Sequence, residues 1–462
     1  MKPLDSVLAS IKLPFDLAPL QRQDIAALTP LERIAYFYEV GCGKTVASTL
    51  SMLMWNNDHN LIVVPPILID DWCLWLKALG LTDIVAYRTP QRKPEWLHSR
   101  FVVMSHAIFR DDYQKILLSM RGSELTLVVD EAQGLKNPAS KLFKYVNAMS
   151  AGRQIVLLTG TPTTSPADAY SYVKIKTPAV YRSNGHFENV HVADRNIFGQ
   201  VTEWQNLDLV HTNLMLNAVR RDKKEMFGYN LVPHLKPIPY ALEKAHKKLY
   251  EKLMDEQLLI YTDGTKIDAT TPVKLYHAAQ QIIVNYDYFS GDPDKRSAAY
   301  DLLDQTLDEV QPMELKNSKL VVWTYYQRSS KAVSDYLLAR LGPKAVVVAY
   351  GRSDSQEAVR RIMHDPETRV LVGQPGSCGV GLNLQKVCSE MLFLEQSTSP
   401  MQARQAFGRV DRVGQTIAPT IRFGQAIGTI QETLFRRLLE NDELVQKVER
   451  TPKSLRQEIF GR

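Results

Sequence analysis

The chain has 462 residues, of which 45% are hydrophobic and 23% charged, a composition typical of globular proteins. That length is enough for two or three domains with substantial cores. The net charge of +6 permits nucleic-acid binding without requiring it. The four cysteines (Cys42, Cys73, Cys378 and Cys388) form no CxxC pair, which argues against a zinc site or a disulfide framework. Because no apolar stretch approaches membrane-spanning length, we expect a soluble, intracellular protein.

A glycine-rich turn near the N-terminus places Gly41 and Gly43 directly before Lys44 and Thr45. The glycines would let the backbone approach a polyphosphate closely, and the lysine would add a positive charge. The threonine supplies a hydroxyl of the kind that binds Mg²⁺ in phosphate loops. The strict phosphate-loop spacing would place a glycine at position 38, where this chain has Tyr38. Taken alone, the segment could therefore be only a turn.

An acidic pair follows the apolar run Leu125–Val129, which reads as a buried strand. Ligands collect at the carboxyl ends of strands in open α/β sheets, so we expect Asp130 and Glu131 to face a ligand. Asp130 would hold a metal ion directly or through water, and Glu131 would orient or deprotonate an attacking water. A helix N-cap is the alternative for an isolated acidic pair. In combination with Lys44, the pair predicts a nucleotide site.

Short apolar strands alternate with helical patterns in two blocks, which predicts an α/β fold with two doubly wound parallel-sheet lobes. Between the blocks the pattern turns helical and charged. We predict lobes at residues 1–165 and 318–462, with a mainly helical insertion and linker at 166–317. The predicted strands are Leu61–Val64, Phe101–Met104, Leu125–Asp130, Gln154–Leu158, Lys319–Trp323, Lys344–Ala349, Arg369–Val372 and Glu390–Leu394.

Two arginines near the C-terminus, Arg409 and Arg412, follow Gln405 and precede a Gly-Gln pair. Their spacing would place them on one face of a short helix. From there they could act as arginine fingers on the γ-phosphate of a nucleotide bound by the first lobe. An isolated Arg-x-x-Arg is more often a solvated helix face, so the assignment depends on the flanking residues.

The order of these segments resembles the Snf2-like family of superfamily 2 helicases and DNA translocases, over nearly the whole chain. The resemblance implies two RecA-like lobes that bind ATP and Mg²⁺, with Gln21 in the adenine-sensing position. Three departures are Gln133 and Asp411, each in place of a histidine, and Tyr38 in place of an acidic residue. The matching segments are Leu17–Gln21, Glu39–Thr45, Asp130–Lys141, Leu158–Pro162, Val219–Glu225, Gly379–Leu384, Gln405–Gln415 and Gly428–Glu432.

The same resemblance implies contacts with the nucleic-acid backbone, made without base readout. Each of the residues concerned could equally be a cap or turn residue. The candidates are Pro65, Ser105, Lys136, Asn137, Thr324, Gly379 and Asn383.

These observations favour an ATP-dependent translocase or helicase acting on double-stranded or branched DNA without sequence specificity. We expect a role in branch migration or fork remodelling during recombination, repair or replication. Because the chain carries little beyond its two lobes, we expect a compact bacterial or phage type, which would be cytoplasmic. The alternatives are an RNA helicase of the same superfamily and a nucleic-acid-binding scaffold with a vestigial ATP site. The extended form of Asp130–Lys141 argues against the first, and intact Lys44 with Glu131 against the second.

Overall fold

The computed structural model describes residues 1–89, 92–256, 258–260, 266–268, 272–292, 294–350, 355–375, 384–397, 400–436 and 438–439. The chain divides into two compact units, of which the first spans Met1–Asn230 and the second begins at Leu231. Among the described residues, no helix is both long and apolar enough to cross a membrane.

The first unit contains a seven-stranded, all-parallel sheet in the order β3-β4-β2-β5-β6-β1-β9, and a separate antiparallel hairpin of β7 and β8. Its central strands are continuous apolar runs, as expected for a sheet covered on both faces. The strands are β1 (Arg33–Tyr38), β2 (His59–Val64), β3 (Ile84–Tyr87), β4 (Phe101–Ser105), β5 (Leu125–Val129), β6 (Gln154–Leu158), β7 (Val192–Arg195), β8 (Val201–Trp204) and β9 (Ala218–Arg221).

Helices cover this sheet on both faces, and each face has its own apolar core. Strand β1 illustrates the alternation, since Ala35 and Phe37 join one core while Ile34, Tyr36 and Tyr38 join the other. The helices are α1 (Leu4–Ser10), α2 (Pro19–Leu28), α3 (Lys44–Trp55), α4 (Ile69–Ala78), α5 (His106–Asp111), α6 (Tyr113–Ser119), α7 (Lys141–Met149), α8 (Ala169–Lys176), α9 (Asn184–His191), α10 (Leu207–Met215) and α11 (Lys223–Phe227).

The second unit contains a six-stranded, all-parallel sheet in the order β10-β17-β16-β13-β15-β14, and a short antiparallel pair of β11 and β12. Apolar cores again lie on both faces of the large sheet. The strands are β10 (His234–Tyr240), β11 (Leu258–Ile260), β12 (Lys266–Asp268), β13 (Lys319–Trp323), β14 (Val346–Ala349), β15 (Val370–Gly373), β16 (Cys388–Phe393) and β17 (Thr420–Ala426).

The helices of the second unit include a group, α12 to α14, that forms a third core with the end of β17. Among the described residues the helices are α12 (Lys244–Glu256), α13 (Pro272–Val284), α14 (Tyr286–Ser290), α15 (Ala298–Val310), α16 (Gln327–Leu341), α17 (Ser355–His364) and α18 (Pro400–Phe407). Two parallel sheets with helices on both faces confirm the predicted α/β class with two doubly wound lobes.

The block at residues 166–317, predicted as mainly helical, also contributes one edge strand to each large sheet. Strand β9 pairs with β1, and β10 pairs with β17. Strand β10 contains Pro237 and Pro239, which cannot donate to a ladder and are tolerated on an edge strand. Both strands are short or proline-containing, so their periodicity is weak. The predicted boundaries at residues 165 and 317 stay a prediction.

A buried carboxyl group, Glu395, follows β16 in the second unit and was not singled out from the sequence. It accepts hydrogen bonds from the backbone N–H groups of Tyr325 and Tyr326 and from the Ser329 hydroxyl. Burial raises the pKa of Glu395 from 4.5 to about 7, against the lowering effect of these donors. The group therefore joins the turn after β13 to the start of α16.

Because its folded-state pKa is raised, Glu395 favours the folded state below pH 4.5, and this contribution is lost as pH rises to about 7. Glu395→Gln keeps an acceptor for the two N–H groups and removes the charge. We expect its stability relative to wild type to rise by about 1.4 kcal/mol per pH unit across that window. Urea unfolding at a series of pH values measures this. Exposed Glu367→Gln should give a flat difference, and a flat difference for Glu395→Gln would contradict the prediction.

Candidate nucleotide-binding site

The glycine-rich turn lies at the carboxyl end of β1 and leads into α3. Gly41 and Gly43 have φ angles of 91° and 84°, in the left-handed region that favours glycine. A Cβ atom at Gly43 would also lie 2.4 Å from the Gln21 side-chain nitrogen. Both positions therefore require glycine, and the turn brings its backbone close to the start of a helix, as a phosphate site needs.

The ammonium of Lys44 lies across this turn. Its Nζ donates to the carbonyl oxygens of Tyr38 at 3.0 Å and Glu39 at 3.4 Å. It also lies near Gly160, where an added Cβ atom would be 3.4 Å from the Lys44 nitrogen. The charge is thus held between the turn and the segment that follows β6.

Gln21 connects α2 to the turn. Its amide oxygen accepts from the Ala18 N–H at 3.0 Å, and its amide nitrogen donates to the Cys42 carbonyl at 3.0 Å. The side chain is buried. These contacts place Gln21 beside the turn, and its predicted contact with adenine stays a prediction.

A buried ion pair fixes the end of β1 from two other elements. The Arg221 guanidinium on β9 donates to both carboxylate oxygens of Asp24 on α2, at 2.9 and 2.6 Å. The Tyr38 hydroxyl donates to the same carboxylate at 2.9 Å. The Asp24 carboxylate therefore accepts hydrogen bonds from both Arg221 and Tyr38. The bond to Tyr38 satisfies its buried hydroxyl directly before the glycine-rich turn.

Asp24→Asn is expected to lower the free energy of unfolding by about 3 kcal/mol, because Arg221 would lose its carboxylate in a largely buried position. Urea unfolding measures the change. The exposed Asp70–Arg88 pair supplies the control, since Asp70→Asn should cost about 0–1 kcal/mol. Adding Arg221→Met to Asp24→Asn should cost less than the two separate losses together. A loss below about 1 kcal/mol for Asp24→Asn would contradict the burial argument.

A second ion pair holds the first residue of the turn. The Lys223 ammonium lies 3.2 Å from Glu39, and the Lys223 backbone N–H donates to the same carboxylate at 3.0 Å. The segment from β9 into α11 therefore holds both the end of β1 and the turn that follows it.

The acidic pair lies at the carboxyl end of β5, which is separated from β1 by β6. The two carboxylate oxygens of Asp130 accept from Trp72 Nε1 and from the Glu131 N–H, both at 2.9 Å. Desolvation by burial, with the charge of Glu131, raises the pKa of Asp130 to about 6, while Trp72 and Lys44 act in the opposite direction. The effect of Lys44 on this pKa is electrostatic, since its positive charge favours the ionised carboxylate.

Glu131 adopts a left-handed backbone conformation with a φ of 49°, which is costly for a residue with a side chain. Its carboxylate accepts from Gln133 Nε2 at 2.7 Å. The Gln133 oxygen in turn accepts from the Thr159 hydroxyl at 2.9 Å, and that hydroxyl accepts from the Thr161 N–H at 3.1 Å. Gln133 thus joins Glu131 directly to the segment after β6.

The donor atoms present fit Mg²⁺, a hard cation that binds few protein ligands and keeps waters and phosphate oxygens. Asp130 and Thr45, the two residues predicted to bind the ion, both carry oxygen atoms, and each carboxylate oxygen of Asp130 accepts one hydrogen bond, from Trp72 or from Glu131. Among the described residues no group of three or more His, Cys, Asp or Glu side chains could hold a metal ion. A fully protein-bound metal is therefore not indicated in that part of the chain.

Four of the predicted nucleic-acid contacts lie in the first unit, where the structure also gives them local partners. Ser105 caps α5 by accepting from the Ile108 N–H, and Asn137 accepts from the Ala139 N–H in a turn. Pro65 lies directly before the short 3₁₀ helix Pro66–Leu68. These local roles do not exclude a backbone contact, so the predictions stand.

Lys136 has a more specific arrangement. Its ammonium lies 3.2 Å from the Asp168 carboxylate and 3.5 Å from the Thr164 hydroxyl, with most of both charged side chains buried. Asp168 also accepts from the Thr164 N–H and hydroxyl. A phosphate contact by Lys136 stays a prediction, and it would compete with this ion pair.

The remaining predicted contacts lie in the second unit. Thr324 is fully buried, its hydroxyl lies 2.7 Å from the Ser330 hydroxyl, and its N–H donates to Gly373 at 3.0 Å. A contact with nucleic acid would require that hydroxyl to leave its buried position. Gly379 and Asn383 lie outside the described residues.

The prediction that Arg409 and Arg412 lie on one face of a short helix is wrong, because α18 ends at Phe407. The N–H of Arg409 reaches back three residues to Ala406, a tight-turn pattern. Gly408, a weak helix former, lies at the change. Both arginines therefore occupy the turns after the helix, and their role as arginine fingers stays a prediction.

The sequence reasoning missed Asp24 and the role of Arg221 beyond a basic run. Asp24 lies three residues after Gln21, within the pattern of an amphipathic helix, and is buried. An acidic residue is unusual only when it is buried, and the sequence alone does not show that Asp24 is buried. The sequence showed Gln133 in place of a histidine. In the structure its amide connects Glu131 to Thr159 through two hydrogen bonds.

Comparison with known proteins gives one family match that covers more than half of the chain. Residues 36–286, more than half of the chain, match the family model described as the SNF2-related domain. A chromatin structure-remodeling complex subunit of Schizosaccharomyces pombe, snf21, is 22% identical over 413 residues, covering 82% of this chain and 34% of that protein.

Two further relatives are similar over comparable lengths. The uncharacterized ATP-dependent helicase YqhH of Bacillus subtilis is 22% identical, covering 89% of this chain and 75% of its own length. The DNA annealing helicase and endonuclease ZRANB3 of Mus musculus is 23% identical, covering 92% of this chain and 40% of its own length. This chain therefore spans about a third of snf21 and two fifths of ZRANB3.

Proposed function

We propose that this chain, which belongs to the SNF2-related family, hydrolyses ATP and uses the energy to move along double-stranded or branched DNA. The observation that carries the proposal is the site at the carboxyl edge of the first sheet. There the Lys44 ammonium lies beside Gly160, and the neighbouring Thr159 donates to Gln133, which in turn donates to Glu131. Such an arrangement suits phosphoryl transfer to water.

In this proposal the turn at Gly41 and Gly43 binds the ATP phosphates through backbone N–H groups, and Lys44 leaves its carbonyl partners to bind the β- and γ-phosphates. Thr45 and Asp130 would hold Mg²⁺, which when bound offsets the negative charge of the phosphates.

Glu131 is proposed to orient the attacking water and to accept its proton. Its hydrogen bond from Gln133 fixes the carboxylate, and the bond from Thr159 to Gln133 connects that position to the segment after β6. A change in this segment would therefore alter the position of the base, which is one physical route for coupling hydrolysis to movement.

Arg409 and Arg412 are proposed as arginine fingers that stabilise charge on the transferred phosphoryl group. Contacts to the DNA would be made with phosphates, which gives tracking without sequence readout. ATP binding and hydrolysis would then drive stepwise movement along the backbone.

Two relatives support DNA as the track, because one is named as a DNA annealing helicase and another as a chromatin-remodeling subunit. Branch migration or fork remodelling is our proposal for the process. A cytoplasmic location is likewise proposed, with the Bacillus subtilis relative as its support.

ATP hydrolysis by the purified chain, measured alone and with single-stranded DNA, duplex DNA, a four-way junction and RNA, tests the proposal. We expect duplex or branched DNA to stimulate most strongly, and displacement of a triplex strand to accompany hydrolysis. If only RNA stimulated hydrolysis, the chain would be an RNA helicase instead. If no hydrolysis occurred with any of these ligands, the chain would be a nucleic-acid-binding scaffold.

A further inference from the structure

A buried tryptophan on α4, Trp72, donates a hydrogen bond to the carboxylate that is proposed to hold Mg²⁺. The Trp72 Nε1 atom lies 2.9 Å from Oδ2 of Asp130. The tryptophan is 2% exposed and the aspartate 5% exposed, so neither group can exchange this bond for one to bulk water while it stays in place. A hydrogen bond to an ionised carboxylate is also stronger than one between neutral groups. The contact therefore restrains the carboxylate firmly.

The topology of the first sheet brings α4 to the acidic pair. Strands β2 and β5 are parallel neighbours, with Val63 opposite Val129. Their carboxyl ends therefore meet at one edge of the sheet, where β5 leads into Asp130 and β2 leads toward α4. Trp72 lies in the first turn of α4, soon after the end of β2. Its indole reaches the carboxylate from that position.

Other contacts hold the backbone of Asp130. Its N–H donates to the Val63 carbonyl at 2.9 Å, and its own carbonyl oxygen lies 2.9 Å from His106 Nε2. Both contacts involve main-chain atoms of Asp130, so they do not depend on where its side chain points. The bond from Trp72 therefore acts on the orientation of the side chain.

The carboxylate is held at both of its oxygens. Oδ1 accepts from the N–H of Glu131, the next residue in the chain, whereas the donor to Oδ2 lies 58 positions earlier. A carboxylate oxygen has two lone pairs, so one hydrogen bond to each oxygen leaves a lone pair on each for a metal ion or a metal-bound water. Two fixed donors set the plane of the carboxylate, and hence the direction of those remaining lone pairs.

The indole of Trp72 is itself fixed, because it belongs to the apolar core on that face of the sheet together with Val64 and Leu76. A second tryptophan on α4, Trp75, is only partly buried, and its Nε1 donates to the Thr49 hydroxyl on α3 at 3.1 Å. One helix therefore presents two indole N–H donors, one to Asp130 and one to α3. The second is a natural comparison for the first.

We propose that Trp72 is a positioning residue for Mg²⁺, because its N–H holds the Asp130 carboxylate in the orientation that binds the ion together with ATP. Removing a hydrogen-bond partner of a metal-binding group typically lowers metal affinity or activity by about 10–100-fold. The inference rests on the proposed ATP hydrolase function.

The alternative is a contact that only satisfies two buried polar groups. We favour positioning because a buried carboxylate is costly to fold, and an apolar side chain at position 130 would fill the same space without that cost.

The test measures binding of a fluorescent, non-hydrolysable ATP analogue to the full-length chain, at a series of Mg²⁺ concentrations and in EDTA. Trp72→Phe keeps an aromatic ring in the core and removes the N–H group. We expect it to raise the half-saturating Mg²⁺ concentration at least about tenfold. Binding in EDTA should stay within about twofold of wild type, because the glycine-rich turn binds phosphate without the ion.

Trp75→Phe is the matched control and should change neither value, since its N–H donates to Thr49. Replacing Trp72 with benzothienylalanine, in which sulfur takes the place of the N–H group, keeps the shape of the indole and should reproduce the effect of phenylalanine. An EPR titration with Mn²⁺ in place of Mg²⁺ follows the ion directly and should show the same weakening.

An unchanged Mg²⁺ requirement in the benzothienylalanine variant would overturn the inference. Equal losses of binding with Mg²⁺ and in EDTA would also overturn it, because they would indicate a contact that only supports the fold. If the wild type bound the analogue without any dependence on Mg²⁺, the metal site and the role of Trp72 would both be wrong. Absence of hydrolysis with every nucleic acid would instead remove the proposed function, and the binding data would still decide the role of Trp72.

Discussion

Replacing Arg412 with alanine is expected to lower the DNA-stimulated kcat for ATP hydrolysis by about 10³–10⁵-fold, the usual effect of removing an arginine finger. The side chain is only partly buried, and the turn that carries it is held by Gln415, whose amide donates to the carbonyls of Cys388 and Val410. The alanine variant should therefore keep the turn and lose the charge.

Steady-state hydrolysis at saturating DNA, together with binding of a fluorescent ATP analogue, measures the effect. Binding should change far less than kcat, because the guanidinium is proposed to act on charge that develops during transfer. Exposed Arg436→Ala, in the same unit, is the matched control and should leave kcat unchanged. A loss below about tenfold for Arg412→Ala would remove the residue from the catalytic group.

Glu131→Gln is expected to lower kcat by about 10²–10⁴-fold, because the glutamine cannot accept a proton from water. It keeps a side-chain oxygen that can accept from Gln133, so the geometry of the site should persist. ATP binding should be retained, and the variant should hold ATP without turning it over.

Single-turnover hydrolysis with labelled ATP separates the chemical step from product release. Glu124→Gln is the control, since Glu124 is exposed directly before the amino end of β5. If Glu131→Gln hydrolysed ATP at a rate close to wild type in the single-turnover assay, another group would have to serve as the base.

The central strands of both sheets could be predicted because they are continuous apolar runs. The run predicted at Leu125–Asp130, for example, corresponds to β5 at Leu125–Val129. Strand β1 was missed because aromatic side chains with hydroxyl groups, Tyr36 and Tyr38, interrupt its apolar pattern. Both are buried in the structure, where their hydroxyls bond to Ser51 and Asp24. Partners that are distant in sequence thus decide whether such a residue can be buried.

The order of the segments predicted to bind the nucleotide could be read from the sequence. The long-range side-chain contacts that hold these segments in place could not. The pair of Asp24 and Arg221 spans 197 positions of the chain, and no local pattern reports such a contact. Local patterns also overstated one helix, since the spacing of Arg409 and Arg412 fits a helical face that the backbone does not form. Hydrogen bonding around Gly408 decides that turn, and residue spacing contains no information on it.

The position of β9 in the chain determines when the edge of β1 becomes paired during synthesis. Strand β1 lies between β6 and β9, so its Arg33–Tyr38 backbone has a free side until Ala218–Arg221 is in place. An unpaired strand edge invites pairing with other chains. During synthesis one edge of β1 therefore stays unpaired until residue 221 has left the ribosome. A recombinant fragment that stops at residue 165 should aggregate more than one that ends at residue 230, because the edge then passes from the apolar β1 to β9, which is short and carries two arginines.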